Sequence, residues 1–190
     1  MPTIQDREEW LNKAARAVVA LVLTRQVPRS APALTDLRIS CGFPRGARKG
    51  RSQTMPRALS KDGTSEVFIN PELDDPAQVL PVLTECLIQA AHDAAGWAKG
   101  QRAYSDAKAI GLKDPLNGEV SEELAATFQR IAQTLGTYPH ARVFAGKREA
   151  TRQLKLQCNR CAAVWRASAK WAVHMSACPC CHSGDIVKPV

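Results

Sequence analysis

The chain has 190 residues, 45% of them hydrophobic, and its formal net charge is +8. This length is enough for one main domain with its own hydrophobic core and one small additional module. No run of 18 or more apolar residues occurs, and the first segment carries acids where a signal peptide would be basic, so we expect a soluble, cytoplasmic protein.

An opening helix is predicted over residues 5–25, because apolar residues recur at helical spacing and acids occupy its first turn. We expect the apolar stripe to pack in the core. It consists of Trp10, Ala14, Val18 and Val22. Alternating residues then predict a strand from Leu34 to Ser40 and a second strand from Thr64 to Asn70, which would pair with it.

The segment between these strands is rich in glycine and arginine, which predicts a mobile basic loop or the turn of a wide hairpin. Residues 38–61 contain seven basic residues and no acid. A polyanion, nucleic acid first, is therefore a candidate partner, although such charge can also serve only to keep a small protein in solution. The loop cations expected to contact nucleic acid are Arg45, Arg48, Lys49, Arg51 and Arg57.

A long, mostly buried helix is predicted from Asp75 to about Gly96, with Asp75 as the N-cap and Pro76 in the first turn. A shorter helix is expected from about Gly100 to Gly111. The apolar stripe of the long helix consists of Val79, Leu83, Leu87, Ala90 and Ala94.

A connector with turn signals follows from Leu112 to Gly118, and Ser121 is predicted to cap another helix that ends at Gly136. The buried face of this helix consists of Leu124, Phe128, Ile131 and Leu135. His140 has no potential ligand partner nearby in the sequence, which favours a structural role.

The long helix, the G-x-x-K turn after it and the segment A-x-A-I-G-L resemble the core of the SprT-like zinc metallopeptidases, in particular phage and prophage forms with a C-terminal zinc ribbon. The resemblance implies an α+β fold, with several helices and a small sheet over residues 1–145. In that family the helix carries H-E-x-x-H, and the following turn supplies a third histidine to the catalytic zinc. On this chain the corresponding positions are Thr84, Glu85, Ile88 and Trp97.

Only the glutamate of that site is present. Ile88 has no lone pair to give, the indole nitrogen of Trp97 is only a donor, and the Thr84 hydroxyl is a weak neutral ligand. Without zinc, a water held by Glu85 keeps the high pKa of bulk water instead of a pKa lowered to about 7, so no nucleophile forms at neutral pH. We therefore interpret the chain as a catalytically inactive homologue, a pseudoenzyme of phage origin that acts in the cytoplasm of a bacterial host.

Two other interpretations stay open. Glu85, Gln89 and His92 fall on one helical face with Asp93 beside them, so an active metallopeptidase with a shifted zinc site is one alternative. In the simpler interpretation, His92 only has a local structural partner. A phage-encoded inhibitor or interaction protein of a host factor is the other alternative, and its binding would not depend on the arginine loop.

After a basic linker over residues 142–155, cysteines occur at the spacing of a zinc ribbon, which is expected over residues 152–190. The expected ligands of one structural zinc are Cys158, Cys161, Cys178 and Cys181. Cys180 or His182 could replace a ligand of the second pair. The same spacing favours a reducing compartment over disulfides. Strands are expected at Leu154–Gln157, Val164–Arg166 and Ile186–Val187.

The same module carries Arg160, Arg166 and Lys170 together with Trp165 and Trp171. Aromatic rings among cations suit nucleic acid, through base stacking and phosphate contacts. In so small a module, both tryptophans can instead pack on its own sheet. The overall hypothesis is a non-catalytic protein with one structural zinc, which binds nucleic acid such as DNA, or a host protein, through its basic loop and its ribbon.

Overall fold

The chain is a mixed α+β protein, as predicted, and it divides into two compact units, Met1–Ala145 and Gly146–Val190. Within the described parts of the chain, every helix is too short or too polar to cross a lipid bilayer. The structure is a computed structural model that describes residues 6–43, 52–96, 101–144, 153–184 and 186–187.

The first unit begins with a long helical segment. Helix α1 (Arg7–Val18) continues through a π-helical segment, Val19–Leu23, into the short helix α2 (Thr24–Gln26). The Asp6 carboxylate caps α1 by accepting the backbone N–H of Glu9 at 2.6 Å. The stripe predicted to lie in the core is buried, and it consists of Trp10, Ala14, Val18 and Val22.

A three-stranded sheet follows, with strands β1 (Leu37–Cys41), β2 (Gln53–Met55) and β3 (Ser65–Ile69) in the order β1-β3-β2. The two predicted strands, β1 and β3, do pair, but they run parallel, with Leu37 opposite Ser65. The wide-hairpin interpretation is therefore wrong, because parallel neighbours need a crossover connection. Strand β2, which was not predicted, lies within that crossover and pairs antiparallel with β3.

The start of β1 also differs from the prediction. Leu34–Asp36 form a 3-10 turn, so the strand begins at Leu37. Thr35 and Asp36 belong to residue types that favour turns, and this local preference outweighs the alternating pattern. Most of the predicted arginine loop lies outside the described residues, and Arg57 is the member of it that the structure describes.

Helix α3 (Pro76–Ala94) is the long helix predicted from the sequence. Asp75 caps it as expected, accepting the Ala77 N–H at 2.8 Å. Ala94 is exposed and does not belong to the buried stripe, because the last turn extends beyond the core. The rest of the predicted stripe is buried and consists of Val79, Leu83, Leu87 and Ala90.

Helix α4 (Gln101–Ala109) matches the second predicted helix, and it ends at a glycine that the fold requires. Gly111 has φ +93°, and a Cβ added there would lie 2.2 Å from the Ser121 Oγ. The predicted connector is instead a small antiparallel hairpin of strands β4 (Leu112–Asp114) and β5 (Glu119–Val120).

Helix α5 (Glu122–Leu135) has the predicted cap, because the Ser121 Oγ accepts the Leu124 N–H at 3.3 Å. Three residues of its predicted face are buried and the fourth, Leu135, packs against the core as a partly buried side chain. The buried three are Leu124, Phe128 and Ile131.

The segment after α5 is held against α1. The Arg7 guanidinium donates to the carbonyls of Pro139, at 3.1 Å, and Ala141, at 2.6 Å. It also lies 5.4 Å from the centre of the Tyr138 ring, which packs edge-on against Trp10. The buried Arg7 guanidinium, through these carbonyl partners, thus fixes the segment after α5 to α1.

The second unit is a small antiparallel sheet with one short helix. Strands β6 (Gln153–Cys158), β7 (Val164–Ser168) and β8 (Ile186–Val187) have the order β7-β6-β8. They correspond to the three predicted strands, with β6 and β7 slightly longer than expected. Helix α6 (Ala169–His174), capped by Ser168, was not predicted and contacts β6 and β7.

Candidate metal centre and basic surface

Four cysteine side chains come together in the second unit. Their sulfur atoms all lie within 4.8 Å of one another, and they belong to Cys158, Cys161, Cys178 and Cys181. The Sγ atoms of Cys158 and Cys181 are 3.6 Å apart, and so are those of Cys161 and Cys178. Four thiolates around a tetrahedral zinc, each at about 2.3 Å, lie about 3.8 Å apart. The donor set and its spacing therefore fit one metal ion.

The first cysteine pair lies in a tight turn after β6. The Ala162 N–H donates to the Cys158 carbonyl at 3.0 Å, and the Cys158 N–H donates to the Ala163 carbonyl at 3.0 Å. Ala162 takes a left-handed conformation with φ +56°. This turn, residues 158–163, forms the first knuckle and directs both sulfurs to the same side.

The second pair repeats this arrangement in residues 178–183, the second knuckle. The His182 N–H donates to the Cys178 carbonyl at 2.9 Å, and the Cys178 N–H donates to the Ser183 carbonyl at 2.7 Å. His182 has φ +57°, at the position equivalent to the left-handed residue of the first knuckle. Two knuckles with the same hydrogen bonds therefore face each other across the sulfur cluster.

The backbone of the second knuckle also acts on the thiols. The N–H groups of Cys181 and Cys180 lower the pKa of Cys178 to about 7. At Cys161 a backbone N–H of Ala163 lowers the pKa, but desolvation and the neighbouring thiols outweigh it and raise the pKa to about 12. The neighbouring thiols thus disfavour the Cys161 thiolate, whereas the thiols of Cys161 and Cys158 favour the Cys178 thiolate. A bound divalent ion would favour ionisation of all four.

The geometry of the second knuckle shows which side chain joins Cys178 in the sulfur cluster. Cys181 joins the cluster, whereas Cys180 is exposed and only its backbone N–H reaches the Cys178 sulfur, at 3.4 Å. His182 is also exposed, and its ring is not part of the cluster. The i, i+3 spacing sets this choice, because the turn aims its first and last side chains at a common point.

Two residues that the sequence resemblance placed at zinc-ligand positions, Thr84 and Ile88, face the core of the first unit. Thr84 and Ile88 are fully buried, and the Thr84 hydroxyl donates to the Leu80 carbonyl at 2.7 Å. Glu85 is half-buried and lines a cavity instead. Trp97 lies outside the described residues. Among the residues that the structure describes, the four cysteines are the group of metal-ligand side chains that converges.

The shifted set considered as an alternative does line one cavity, of about 420 Å³, and consists of Glu85, Gln89, His92 and Asp93. The His92 Nε2 is 2.8 Å from the Ser30 Oγ and 3.1 Å from the Asp106 Oδ2. The Ser30 hydroxyl and the Asp106 carboxylate thus contact the same nitrogen of the His92 ring, and Ser30 is fully buried. This cluster therefore holds α3 against α4 and does not resemble a nucleophile with its base.

The exposed face of the second unit carries two cations directly opposite each other. Lys155 on β6 pairs with Arg166 on β7, and both are exposed. Paired residues of antiparallel strands point to the same side of the sheet. Lys155 was not among the cations predicted to contact nucleic acid, although it lies where the predicted linker, residues 142–155, overlaps the predicted strand Leu154–Gln157.

Comparison with protein-family models, with curated proteins and with solved structures found no match for this chain.

The other cations proposed to contact nucleic acid belong to other elements or lie outside the described residues. The Arg57 side chain donates to the Gly63 carbonyl at 2.7 Å, so it has a structural contact within its own loop. Arg160 is exposed in the first knuckle, and Lys170 is exposed on α6. The members that lie outside the described residues are Arg45, Arg48, Lys49 and Arg51.

The two tryptophans of the second unit have different environments. Trp165 is half-buried and its Nε1–H donates to the Met175 sulfur at 3.3 Å, so it packs within the unit. Trp171 on α6 is 67% exposed. The packing interpretation therefore holds for Trp165, and Trp171 is the ring available to a partner.

Proposed function

We propose that this chain is a non-catalytic, nucleic-acid-binding protein whose second unit is a zinc ribbon and whose first unit is a degenerate SprT-like core. The observation that carries the proposal is the pair of exposed cations, Lys155 and Arg166, on adjacent strands beside the four-cysteine cluster. Like charges directly opposite each other on a sheet destabilise it. A polyphosphate bound across both side chains would turn this repulsion into attraction.

The distribution of charge supports a polyanion. Residues 146–190 contain eight basic and two acidic residues, so less than a quarter of the chain carries +6 of the net charge of +8. Concentrated charge of one sign on a small unit attracts a partner of opposite sign and raises the rate of association. Trp171, exposed on α6, adds a ring on which a nucleobase could stack.

The size of the second unit supports zinc. Its buried hydrophobic residues within the described part of the chain are Leu156, Cys158, Ala172 and Cys178. Two of the four are members of the cysteine cluster. A core of this size does not fold alone, and a four-thiolate zinc site supplies the missing free energy. Such a site has no open coordination position, so the zinc would be structural.

The first unit supports the absence of peptidase activity. Thr84 and Ile88 occupy the positions of two histidine ligands in the family that the sequence resembles, and both are enclosed in the core. Without metal, Glu85 has no activated water to use. An active enzyme with Glu85 and His92 as ligands is the competing function, and it requires a second metal ion per chain.

The test is fluorescence anisotropy with a labelled single-stranded oligonucleotide, measured from about 50 to 200 mM salt. We expect affinity to fall with salt. The double variant Lys155→Gln, Arg166→Gln should bind about tenfold more weakly, with a log–log slope smaller by about 1.4, because each phosphate contact on a single strand contributes about 0.7. The matched control, Arg29→Gln with Lys108→Gln, removes two exposed charges from the first unit. Equal loss in both double variants contradicts the proposal.

A further inference from the structure

A cavity in the first unit has a charge opposite to that of the protein as a whole. It has a volume of about 420 Å³ and lies between α3, α4 and the β4 hairpin. One side is apolar and is formed mainly by Pro56, Ala103, Ala107, Leu112 and Pro115. Cavities of this size with an apolar wall and a few convergent polar groups are the usual form of a ligand site.

The polar side of the cavity belongs to α3. Glu85 and Asp93 lie two turns apart on this helix and both line the cavity. Behind them, Asp106 contacts the His92 ring. Among the lining side chains that the structure describes, the cation is Lys113, on an exposed position of β4. A negatively charged cavity in a chain of net charge +8 does not suit nucleic acid and favours a cationic guest.

The Asp93 carboxylate retains capacity for a donor. Its Oδ2 accepts the backbone N–H of Arg57 at 2.7 Å, and a carboxylate has two oxygens and about four acceptor positions. The Arg57 contact orients Asp93 without exhausting it, and a bound cation would form a charge-assisted hydrogen bond with it. The Glu85 Oε1 accepts the Gln89 side-chain amide at 3.2 Å, and the charge of Glu85 adds to the negative potential in the cavity.

The mouth of the cavity carries an aromatic ring. Tyr104 on α4 lines the cavity and is 70% exposed. An exposed ring beside carboxylates attracts an ammonium or guanidinium group through its π face. The edge of the same ring can pack against the aliphatic carbons of the guest. The aliphatic part of the guest would then lie on the apolar wall, opposite α3.

We propose that this cavity binds a primary ammonium or guanidinium group carried on an aliphatic chain. The group belongs either to a lysine or arginine side chain of a polypeptide or to a free aliphatic amine. This site is separate from the basic surface of the second unit, so the inference does not depend on nucleic-acid binding.

The test uses the zinc-loaded full chain and follows backbone amide shifts by two-dimensional NMR. The probes are Nα-acetyl-lysine amide, 1,5-diaminopentane and the neutral Nα,Nε-diacetyl-lysine amide. We expect the two cationic probes to shift the Arg57 amide, which is hydrogen-bonded to Asp93, and the neutral probe to leave it unchanged. Tighter binding of a lysine-containing pentapeptide than of the diamine identifies a polypeptide guest, and the reverse order identifies a free amine.

Two variants test the carboxylates separately. Asp93→Asn, which removes the carboxylate proposed to contact the guest, should weaken binding of the cationic probes by about tenfold. Glu85→Gln, which removes a negative charge two turns away, should weaken it by a smaller factor. Asp93→Asn keeps a side-chain oxygen that can accept the Arg57 N–H. The matched control is Glu119→Gln, which removes an exposed carboxylate from β5. Equal binding of the neutral probe, unchanged binding in Glu85→Gln, or no shift with any probe overturns the inference. Oligonucleotide affinity should be the same in Glu85→Gln, which separates this inference from the proposed function.

Discussion

Lys155 and Arg166 lie directly opposite each other on antiparallel strands, with both side chains on the exposed face of the sheet. The pairing places two positive charges side by side on a unit that carries most of the protein's net charge. Such an arrangement lowers the stability of the free protein, and a bound anion would relieve the repulsion. The same two residues therefore link the stability of the second unit to its proposed function.

Removing one of these charges should stabilise the second unit. Lys155→Gln keeps the length of the side chain and ends the repulsion, so we expect a gain of about 0.2 to 0.5 kcal/mol at low salt, which screening removes at high salt. Chemical unfolding of the zinc-loaded protein at both salt concentrations measures this. Lys170→Gln, which removes the same charge from α6, should leave stability unchanged. A loss of stability in Lys155→Gln would show that the pair does not repel.

The three cysteines of the C-x-C-C segment should behave differently on substitution. Cys180→Ser should retain the metal, because its side chain is exposed and outside the cluster. Cys178→Ser and Cys181→Ser should each lose it, and the second unit should unfold as a result. Metal content by mass spectrometry and secondary structure by circular dichroism report the two effects. Metal loss in Cys180→Ser, with retention in Cys181→Ser, would reassign the fourth ligand.

The left-handed residue of the first knuckle gives a stability test. Ala162 has φ +56°, a conformation that glycine adopts without steric penalty. Ala162→Gly should stabilise the metal-loaded second unit by about 0.5 to 1 kcal/mol. Ala163→Gly, next in the chain and without a positive φ, should destabilise it by a similar amount. Equal effects of the two variants would show that the knuckle does not have the described backbone.

Of two left-handed glycines in the first unit, Gly111 should lose more stability than Gly63 when it is replaced by alanine. Gly111→Ala adds a Cβ 2.2 Å from the Ser121 Oγ, so we expect a loss of about 2 to 4 kcal/mol. Gly63 has φ +70° and open space around it, and Gly63→Ala should cost about 1 kcal/mol. Thermal unfolding of the two variants compares them, and similar losses would exclude the contact between the α4 end and α5.

Local features of the fold could be predicted from the sequence. The caps of α3 and α5, Asp75 and Ser121, depend on side chains within three residues of the helix start. The cysteine pairs were equally local, because a turn of four residues determines which sulfurs converge. In each case the relevant interaction lies within a few positions of the chain.

Non-local features could not be predicted in the same way. The parallel pairing of β1 with β3 depends on a crossover that alternating residues do not reveal. The opposition of Lys155 and Arg166 depends on strand register, and Lys155 alone resembles any linker cation. The burial of Thr84 and Ile88 depends on how three elements pack around α3. The same packing determines that Glu85 lines a cavity.

We propose that the protein holds its metal with the cysteines of the second unit and none with helix α3. Native mass spectrometry of the protein purified with zinc tests it most directly. We expect one zinc per chain, retained in Glu85→Gln and lost in Cys178→Ser. Two zinc ions per chain, with one of them lost in Glu85→Gln, would contradict the account and favour an active metallopeptidase.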